Sequence, residues 1–325
     1  MAIKNLSFYI TAFKSLRRDS KNGGAPHKPV LLLSLIDSFE YGFYQDNKIY
    51  ILPELIGFFK ANWSRFVETD HDLRFALPFY HMQNETFWSL IPKAGCEIWV
   101  QSKGSMRSLS NLETAVEYAR IDNTLADLLK NKENRDVLRQ IILEKYFPKF
   151  TSTNYSNHGL DIVEGIRKQI VEEDKTEYLA KINILKTKLT REAFEEEIIL
   201  RGSIFKREVP KNYNYTCCFS ELKIEVPFNS TSLIEACHIE PFSTAYNDTL
   251  RNGIALTPTL HKAFDKGLIC ISDNYEIIVS NRISETESPQ SLKRYHGKRM
   301  LLPINEKHCP SLESIFWHRK NRFEK

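Results

Sequence analysis

One short pattern in the last third of the chain constrains its fold more than any other feature. Residues 235–241 read Glu-Ala-Cys-His-Ile-Glu-Pro, and Asn252-Gly253 begins 14 residues after His238. His261 follows 9 residues beyond Asn252, inside the segment TPTLHKAFDKG. The order is a strand bearing a histidine, a loop with Asn-Gly, and a helix bearing a second histidine. It predicts a ββα-metal arrangement.

This arrangement suits the hydrolysis of a phosphodiester, whose negative charge repels nucleophiles. A histidine that is neutral near pH 7 takes a proton from water, and a divalent ion opposite it neutralises charge growing on the leaving oxygen. A histidine on the helix can hold that ion. An asparagine can tie the loop carbonyls and keep strand and helix in register. Taken singly, His261 could be a helix-surface histidine, His238 a core histidine, and Asn252-Gly253 a turn. Their joint order favours a nuclease.

From about residue 201 to residue 322 the sequence resembles an HNH endonuclease domain of the prokaryotic restriction type. The similar segments are FKREV-x5-Y from residue 205, LIEACHIEPF, NGIALTPTLHKAFDKGLICIS, YEIIVS, GKRMLLP and WHRKNRF. The resemblance implies that His238 is the general base, Asn252 the structural middle residue and His261 a metal ligand. It also implies a divalent cofactor, Mg²⁺ or Mn²⁺.

The chain departs from this family at one position beside the base. Many HNH domains carry Asp there as a further metal ligand, and here the residue is Cys237. Glu235, two residues back on the same strand face, is a candidate substitute, and water or DNA phosphate could also complete the shell. Some relatives bind a structural zinc through two C-x-x-C pairs. Here only Cys217-Cys218 is present, so we expect no structural zinc.

The N-terminal half carries a second resemblance, in GGAPHKPVLLLSLID from residue 23 and ALPFYHMQNETFWSL from residue 76. These segments resemble the sulfur-binding domain of phosphorothioate-dependent type IV restriction enzymes, which join that domain to a C-terminal HNH nuclease. The resemblance covers about residues 1–150. It rests chiefly on Pro26-His27-Lys28-Pro29 and Leu77-Pro78-Phe79, although the family often has an aromatic residue where Leu77 stands.

Sulfur is larger, more polarisable and less strongly hydrated than oxygen, so a shallow apolar cup can prefer it. Nearby cations hold the flanking phosphates without reading sequence. The resemblance implies three groups of contacts: a cup lined by Leu77, Pro78 and Phe79, an approach to the modified phosphate by Pro26, His27 and Lys28, and backbone contacts from Arg17, Arg18, Lys103 and Arg107.

Other interpretations stay open at this point. The N-terminal domain could read a modified base, since Trp63, Trp88 and Trp99 could wall a base pocket, or it could read an unmodified site. Residues 26–29 could be a helix-entry turn, and residues 77–79 a strand edge in the core. A degenerate HNH fold that binds DNA without cutting it is a third hypothesis, for which Cys237 is the support.

Length and composition limit the number of domains, the fold class and the kind of partner. The 325 residues suggest two domains, and we expect α+β folds in both: a mixed helical and small-sheet DNA-recognition domain over 1–150, a helical linker over 151–190, and the HNH domain over 191–325. A net charge of +4 permits an anionic partner without proving one, and we expect that partner to be double-stranded DNA. Because double-strand cleavage needs two active sites or two events, we expect a homodimer.

The six cysteines show no disulfide-framework spacing, and the N-terminus lacks the build of a signal peptide. The longest apolar run, Val30 to Ile36, is too short to span a membrane. We therefore expect a cytoplasmic protein without a membrane partner.

Periodicity predicts helices over 4–18, from Pro29 onward, over 53–66, in three stretches ending at 146–148, over 160–188, from 191 onward and over 258–266. Strands are predicted over 75–82, 86–92, 97–100, 268–272 and 275–280, with a hairpin across 215–240.

Overall fold

The structure is a computed structural model, and it describes residues 4–20, 23–102, 104, 106–150, 158–223 and 233–324. The chain divides into two compact units. The first holds residues 1–165 and 188–200, and the second holds residues 166–187 and 201–325. The sequence-based segments 1–150, 151–190 and 191–325 stay a prediction. Both units mix helices with short antiparallel strands, as expected for an α+β protein.

The first unit surrounds one buried helix. Its elements are α1 (Leu6–Lys14), α2 (His27–Glu40), β1 (Lys48–Ile49), α3 (Pro53–Phe66), α4 (Ala76–His81), β2 (Trp88–Pro92), α5 (Glu97–Gln101), α6 (Leu109–Ala115), β3 (Val116–Ile121), α7 (Asn123–Lys130) and α8 (Lys132–Tyr146). The whole run from Val30 to Ile36 in α2 is buried, and α2 packs against α3, α4, α7 and α8. The strands form an antiparallel sheet in the order β1-β3-β2.

The predicted helix over 53–66 and the predicted strand within 86–92 are confirmed. The predicted strand over 75–82 is wrong, because α4 occupies it. The buried positions Phe75, Ala76, Phe79 and Tyr80 have helical spacing. The Glu196 carboxylate accepts hydrogen bonds from the backbone N–H groups of Phe75 and Ala76, at 2.7 and 3.0 Å, which satisfies donors at the start of this helix.

One further expectation for the first unit fails, and one of its strands was not predicted. Residues 97–100 form α5 rather than a strand, with Val100 N donating to Cys96 O at 2.9 Å. The three helices expected before residue 146 exist as α6, α7 and α8, but the central strand β3 lies among them. Its burial alternates in part along VEYARI, and it pairs with both other strands of the sheet.

The helices α9 (Gly159–Glu172) and α11 (Arg191–Asn212) each contain residues of both units, and α10 (Lys175–Lys188) runs between them. The single helix expected over 160–188 is therefore broken. Asp174 begins the next helix, since its Oδ1 accepts from the backbone N–H groups of Thr176 and Glu177 at 2.8 and 3.0 Å and caps α10. The predicted linker residues 151–157 lie outside the described residues.

The second unit continues with β4 (Glu235–His238), α12 (Phe242–Ala245), β5 (Gly253–Leu256), α13 (Pro258–Asp265), β6 (Ile269–Ile271), β7 (Ile277–Val279) and α14 (Leu312–Asn321). The predicted short helix over 258–266 and the strands at 268–272 and 275–280 are confirmed. Of the hairpin expected across 215–240, the described residues show an isolated antiparallel bridge between Thr216 and Lys223, and β4 pairs with β5. Residues 224–232 lie outside the described residues.

One apolar core lies under β4, β5 and α13. Phe205, Ile254, Leu256, Phe264 and Ile269 are all buried in it. In the part of the chain that the structure describes, no helix is long and apolar enough to cross a membrane.

Candidate active site and DNA-binding pocket

The strands β4 and β5 pair in an antiparallel register that places His238 opposite Gly253 and Cys237 opposite Ile254. Helix α13 packs against both strands. His238 thus comes from the end of a strand, Asn252 from the end of the connecting loop, and His261 from the helix. This is the predicted ββα order.

Gly253 serves close packing rather than a turn, since its φ of −120° is open to any residue. A Cβ built there would lie 2.4 Å from Val209 Cγ2 and 2.9 Å from the Phe205 ring. Glycine therefore lets α11 approach β5 directly opposite His238.

Asn252 is buried and uses its whole side-chain amide on the loop between β4 and β5. Its Oδ1 accepts from Glu240 N, and its Nδ2 donates to the carbonyl oxygens of Glu240 and Asn247, each at 2.9 Å. These bonds close the loop on itself, as the sequence predicts. These bonds join Asn252 to Glu240 and Asn247, so Asn252 shapes the loop that leads away from His238.

His238 is held by an acid and an aromatic ring. Its Nε2 lies 2.8 Å from Asp248 Oδ1, and Asp248 is fully buried. Because a carboxylate oxygen accepts, the ring proton sits on Nε2 and Nδ1 keeps its lone pair. Phe205 stacks on the imidazole at 3.9 Å between centroids and 9° between planes. The side chain stays 22% exposed, so part of the imidazole ring is open to solvent.

His261 lies between two carboxylates on the other side of β4. Its Nδ1 is 2.7 Å from Glu235 Oε2, and its Nε2 is 3.4 Å from Asp265 Oδ2. The Glu235 bond places the ring proton on Nδ1 and leaves the Nε2 lone pair on the side of Asp265.

Cys237, His261 and Asp265 offer ligand atoms that all lie within 4.8 Å of one another. Cys237 Sγ is 3.9 Å from Asp265 Oδ1. Burial, followed by the nearby Asp265 carboxylate, raises the pKa of the Cys237 thiol. The donor set of one sulfur, one imidazole nitrogen and one carboxylate oxygen fits a divalent metal ion. Glu235 lies outside this cluster and bonds the opposite ring nitrogen, so its predicted place among the metal ligands stays a prediction.

Cys237 and His238 are neighbours in a strand and therefore point to opposite faces. Among the described contacts the two histidines share no partner: His238 contacts Phe205, Phe242 and Asp248, and His261 contacts Glu235 and Asp265. Cys237 directly precedes His238 in β4, and this connects the group of candidate metal ligands to the candidate general base.

Two residues of this site were missed by sequence reasoning. Asp265 could have been found, because it lies four residues after His261 and so on the same helix face. Asp248 offered no such signal, because it lies in an irregular loop whose path depends on the bonds of Asn252.

The first unit contains a cavity of about 450 Å³ that brings together six of the residues predicted to bind DNA or sulfur. Its lining consists of Arg17, Arg18, Asp19, Ala25, His27, Lys28, His71, Leu77, Pro78, His81 and Asn84. Residues from the start of α2 and from α4 therefore meet at one hollow, although some 50 residues separate them in sequence.

The remaining predicted contacts lie elsewhere. Phe79 is fully buried and packs against Phe75 and Trp88 in the core, so its predicted place in the cup is wrong. Pro26 lines a separate cavity of about 230 Å³. Arg107 does not line the larger cavity, although its charge acts on His81 there. Lys103 lies outside the described residues.

Three polar side chains that line the larger cavity already have partners. Lys28 is buried and forms an ion pair with Glu85, and burial lowers the pKa of this lysine. His27 Nε2 lies 2.9 Å from Asp72 O, and burial lowers the pKa of His27 to about 4. His27 is therefore neutral at physiological pH and donates Nε2–H to that carbonyl. Arg18 donates to the carbonyls of Gly24 and Ala25.

The three tryptophans proposed for a base pocket do not line this cavity. Trp63 is buried and packs 4.6 Å from the His27 ring, Trp88 is buried against Phe79, and Trp99 is 37% exposed on α5.

Comparison with known proteins agrees with the geometry of the second unit. Residues 217–272 match the family model described as HNH endonuclease. A solved structure described as a modification-dependent TagI restriction endonuclease is similar at 20% identity and a TM-score of 0.27. The chain spans only 36% of that protein and is covered over 36% of its own length, and this TM-score is too low to support a shared fold.

A search of the curated proteins found no match to this chain. The family match nevertheless covers β4, β5, α13 and β6 together with both histidines. This match supports an endonuclease domain over the alternative of a non-catalytic DNA-binding protein. Residues 217–272 therefore form an HNH endonuclease domain.

Proposed function

We propose that this protein is a modification-dependent restriction endonuclease that reads phosphorothioate-modified double-stranded DNA through its first unit and cuts it with the HNH site. The observation that carries the proposal is the convergence of His27, Lys28, Leu77 and Pro78 on one cavity in a chain that also holds an HNH domain.

The cavity has the chemistry to prefer sulfur over oxygen. Leu77 and Pro78 bring apolar atoms to its wall. The His27 N–H already donates a hydrogen bond to the Asp72 carbonyl, and the Lys28 ammonium already forms an ion pair with Glu85. A phosphate oxygen entering this hollow would lose water and find its nearest donors engaged. Sulfur, which holds water more weakly, loses less on entry.

In hydrolysis, His238 Nδ1 takes the proton from the attacking water. Asp248 holds the ring in the tautomer that leaves Nδ1 free, and its carboxylate stabilises the imidazolium that results. Phe205 fixes the plane of the ring. A divalent ion, held by His261, Asp265 and Cys237, would supply positive charge to offset the charge growing on the leaving oxygen.

The test compares one duplex with a single phosphorothioate linkage and the same duplex without it, using the full-length protein and a panel of divalent metals that includes Mg²⁺ and Mn²⁺. We expect cleavage of the sulfur-containing duplex alone. His238→Ala should abolish cleavage and leave binding intact, whereas the exposed His158→Ala should change neither. Equal cutting of both duplexes would refute sulfur recognition while leaving the nuclease.

The cavity is tested separately by Leu77→Asp. We expect it to weaken binding of the sulfur-containing duplex by about tenfold or more, because a carboxylate beside the entering group adds like charge. Ile184→Asp, at a residue 51% exposed on α10, is the matched control and should bind normally.

Base-modified duplexes belong in the same binding series, because tight binding to methylated or hydroxymethylated cytosine without sulfur would favour base reading instead. Sedimentation with and without DNA tests the proposed homodimer, which double-strand cleavage would use.

A further inference from the structure

We infer that the metal site of this nuclease is a thiolate site: Cys237 coordinates the ion together with His261 and Asp265, and the site therefore selects a thiophilic divalent ion such as Zn²⁺ or Co²⁺ over Mg²⁺. The inference concerns the metal site used in the proposed function, but it makes no use of sulfur recognition in DNA.

The first support is the convergence of three different donors. The His261 Nε2 to Asp265 Oδ2 distance is 3.4 Å, and the Cys237 Sγ to Asp265 Oδ1 distance is 3.9 Å. Bond lengths to zinc predict separations of roughly 3.3–3.8 Å between ligand atoms in a tetrahedral site. These two distances end on different oxygens of Asp265, and the three ligand atoms lie within 4.8 Å of one another, so the side chains must draw closer together to hold one ion.

The second support is the orientation of His261. A histidine that ligates a metal usually donates its other ring N–H to a carboxylate, and Glu235 accepts such a bond from Nδ1 at 2.7 Å. This bond leaves the Nε2 lone pair on the side of the Asp265 carboxylate, and a ring nitrogen of His261 lies within 4.8 Å of Cys237 Sγ. Glu235 is thus a positioning residue for the ligand.

The third support is the distribution of burial. Cys237 is fully buried at the base of the cluster, whereas the side chains of His261 and Asp265 are 24% and 56% exposed. A ligand set closed on the protein side and open on the solvent side leaves coordination positions for water and phosphate, as in catalytic zinc sites.

The choice of ion follows from the sulfur. Thiolate is a soft ligand that favours zinc and related transition metals, whereas Mg²⁺ prefers oxygen ligands in octahedral geometry. Binding breaks the S–H bond of Cys237, forms a sulfur–metal bond and releases the proton to solvent. No electron is transferred, so the step needs no oxidant or reductant.

The test uses full-length protein stripped of metal with a chelator and titrated with Co²⁺. A sulfur-to-cobalt charge-transfer absorption band in the near ultraviolet is expected, with one Co²⁺ per chain. Cys237→Ser should remove the band and weaken Co²⁺ binding at least about 100-fold, because loss of even an outer partner costs 10–100-fold. Zn²⁺ should displace the Co²⁺, and a large excess of Mg²⁺ should not.

Three variants keep the result interpretable. Glu235→Gln should keep the band and weaken binding about 10–100-fold, which separates positioning from direct ligation. Cys218→Ser, at a buried thiol of the same core, should keep both band and affinity. Cys237→Asp serves if the serine variant fails to fold, and it should bind Mn²⁺ more tightly while losing the band.

A band that survives Cys237→Ser or Cys237→Asp would overturn the inference, as would displacement of Co²⁺ by equimolar Mg²⁺. Co²⁺ binding without any band would show His261 and the carboxylates acting without the thiol and would also overturn it. These spectra do not depend on cleavage. Failure of sulfur-selective cutting therefore leaves the inference standing, and failure of the band leaves the nuclease standing.

Discussion

Asp248 is the residue whose replacement tests the active-site geometry most sharply. It is fully buried, its Oδ1 lies 2.8 Å from His238 Nε2, and its Oδ2 has no hydrogen-bond partner among the described residues. Asp248→Asn keeps the size of the side chain but lets its amide group donate a proton. An amide that donates to Nε2 moves the ring proton to Nδ1, the atom that must accept from water.

The expected loss can be worked from this bond. A hydrogen bond to a charged group contributes about 1.5–3 kcal/mol, and the imidazolium formed during the reaction would lose that carboxylate. At about 1.4 kcal/mol per tenfold in rate, the loss is about 10–150-fold, and the wrong tautomer adds to it. We therefore expect the cleavage rate constant to fall about 100-fold or more. The variant should bind DNA as well as the wild type does.

Single-turnover cleavage of a labelled duplex at saturating protein measures the rate constant, and a binding titration without metal measures affinity. Thermal unfolding monitors the fold. The matched control is Asp273→Asn, the same chemical change at an exposed carboxylate that pairs with Arg319. A cleavage rate within threefold of the wild type would refute the argument, because it would mean that Asp248 does not set the tautomer of His238.

Three other predictions follow from single contacts. Gly253→Ala should destabilise the second unit by about 1–3 kcal/mol in urea unfolding, because the added Cβ would lie 2.4 Å from a buried methyl group. The control Gly202→Ala has open space around its Cβ and should be neutral or stabilising. Arg17→Ala removes an exposed cation at the rim of the larger cavity. It should weaken DNA binding and reduce the slope of log affinity against log salt concentration by about 1. The control Lys132→Ala, at an exposed lysine, should change neither the affinity nor the slope. Burial lowers the pKa of His318 to about 4, so the unfolded chain takes up a proton that the folded protein refuses as the pH falls below about 6.5. Unfolding free energy should therefore drop by about 2.5 kcal/mol from this residue between pH 7 and pH 4.5, and a His318→Phe variant that shows the same drop would contradict this assignment.

The order of the catalytic elements was predictable from sequence, and so were the elements with strong local patterns. His238, Asn252 and His261 lie on a strand, a loop end and a helix as expected. Helix α3 was predicted at its observed bounds because Pro53 suits a helix start and the apolar positions after it have helical spacing. Such features depend on residues within a few positions of one another.

Other features depended on residues far apart in the chain. Residues 75–82 read as a strand by composition, but Glu196, 120 residues later, satisfies the N–H groups that start helix α4. The ion pair between Lys28 and Glu85 likewise joins two separate segments, and it reduces the positive charge that the cavity offers to an anion.

The sequence alone therefore determined which kind of nuclease domain this chain carries, because that domain is marked by residue types at characteristic spacings. Only the tertiary structure decided how its charges are matched: Asp248 on His238, Glu235 on His261, and Asp265 beside Cys237. The physical reason is that hydrogen bonding and desolvation act through space over a few ångströms, whereas sequence patterns report only on neighbours along the chain.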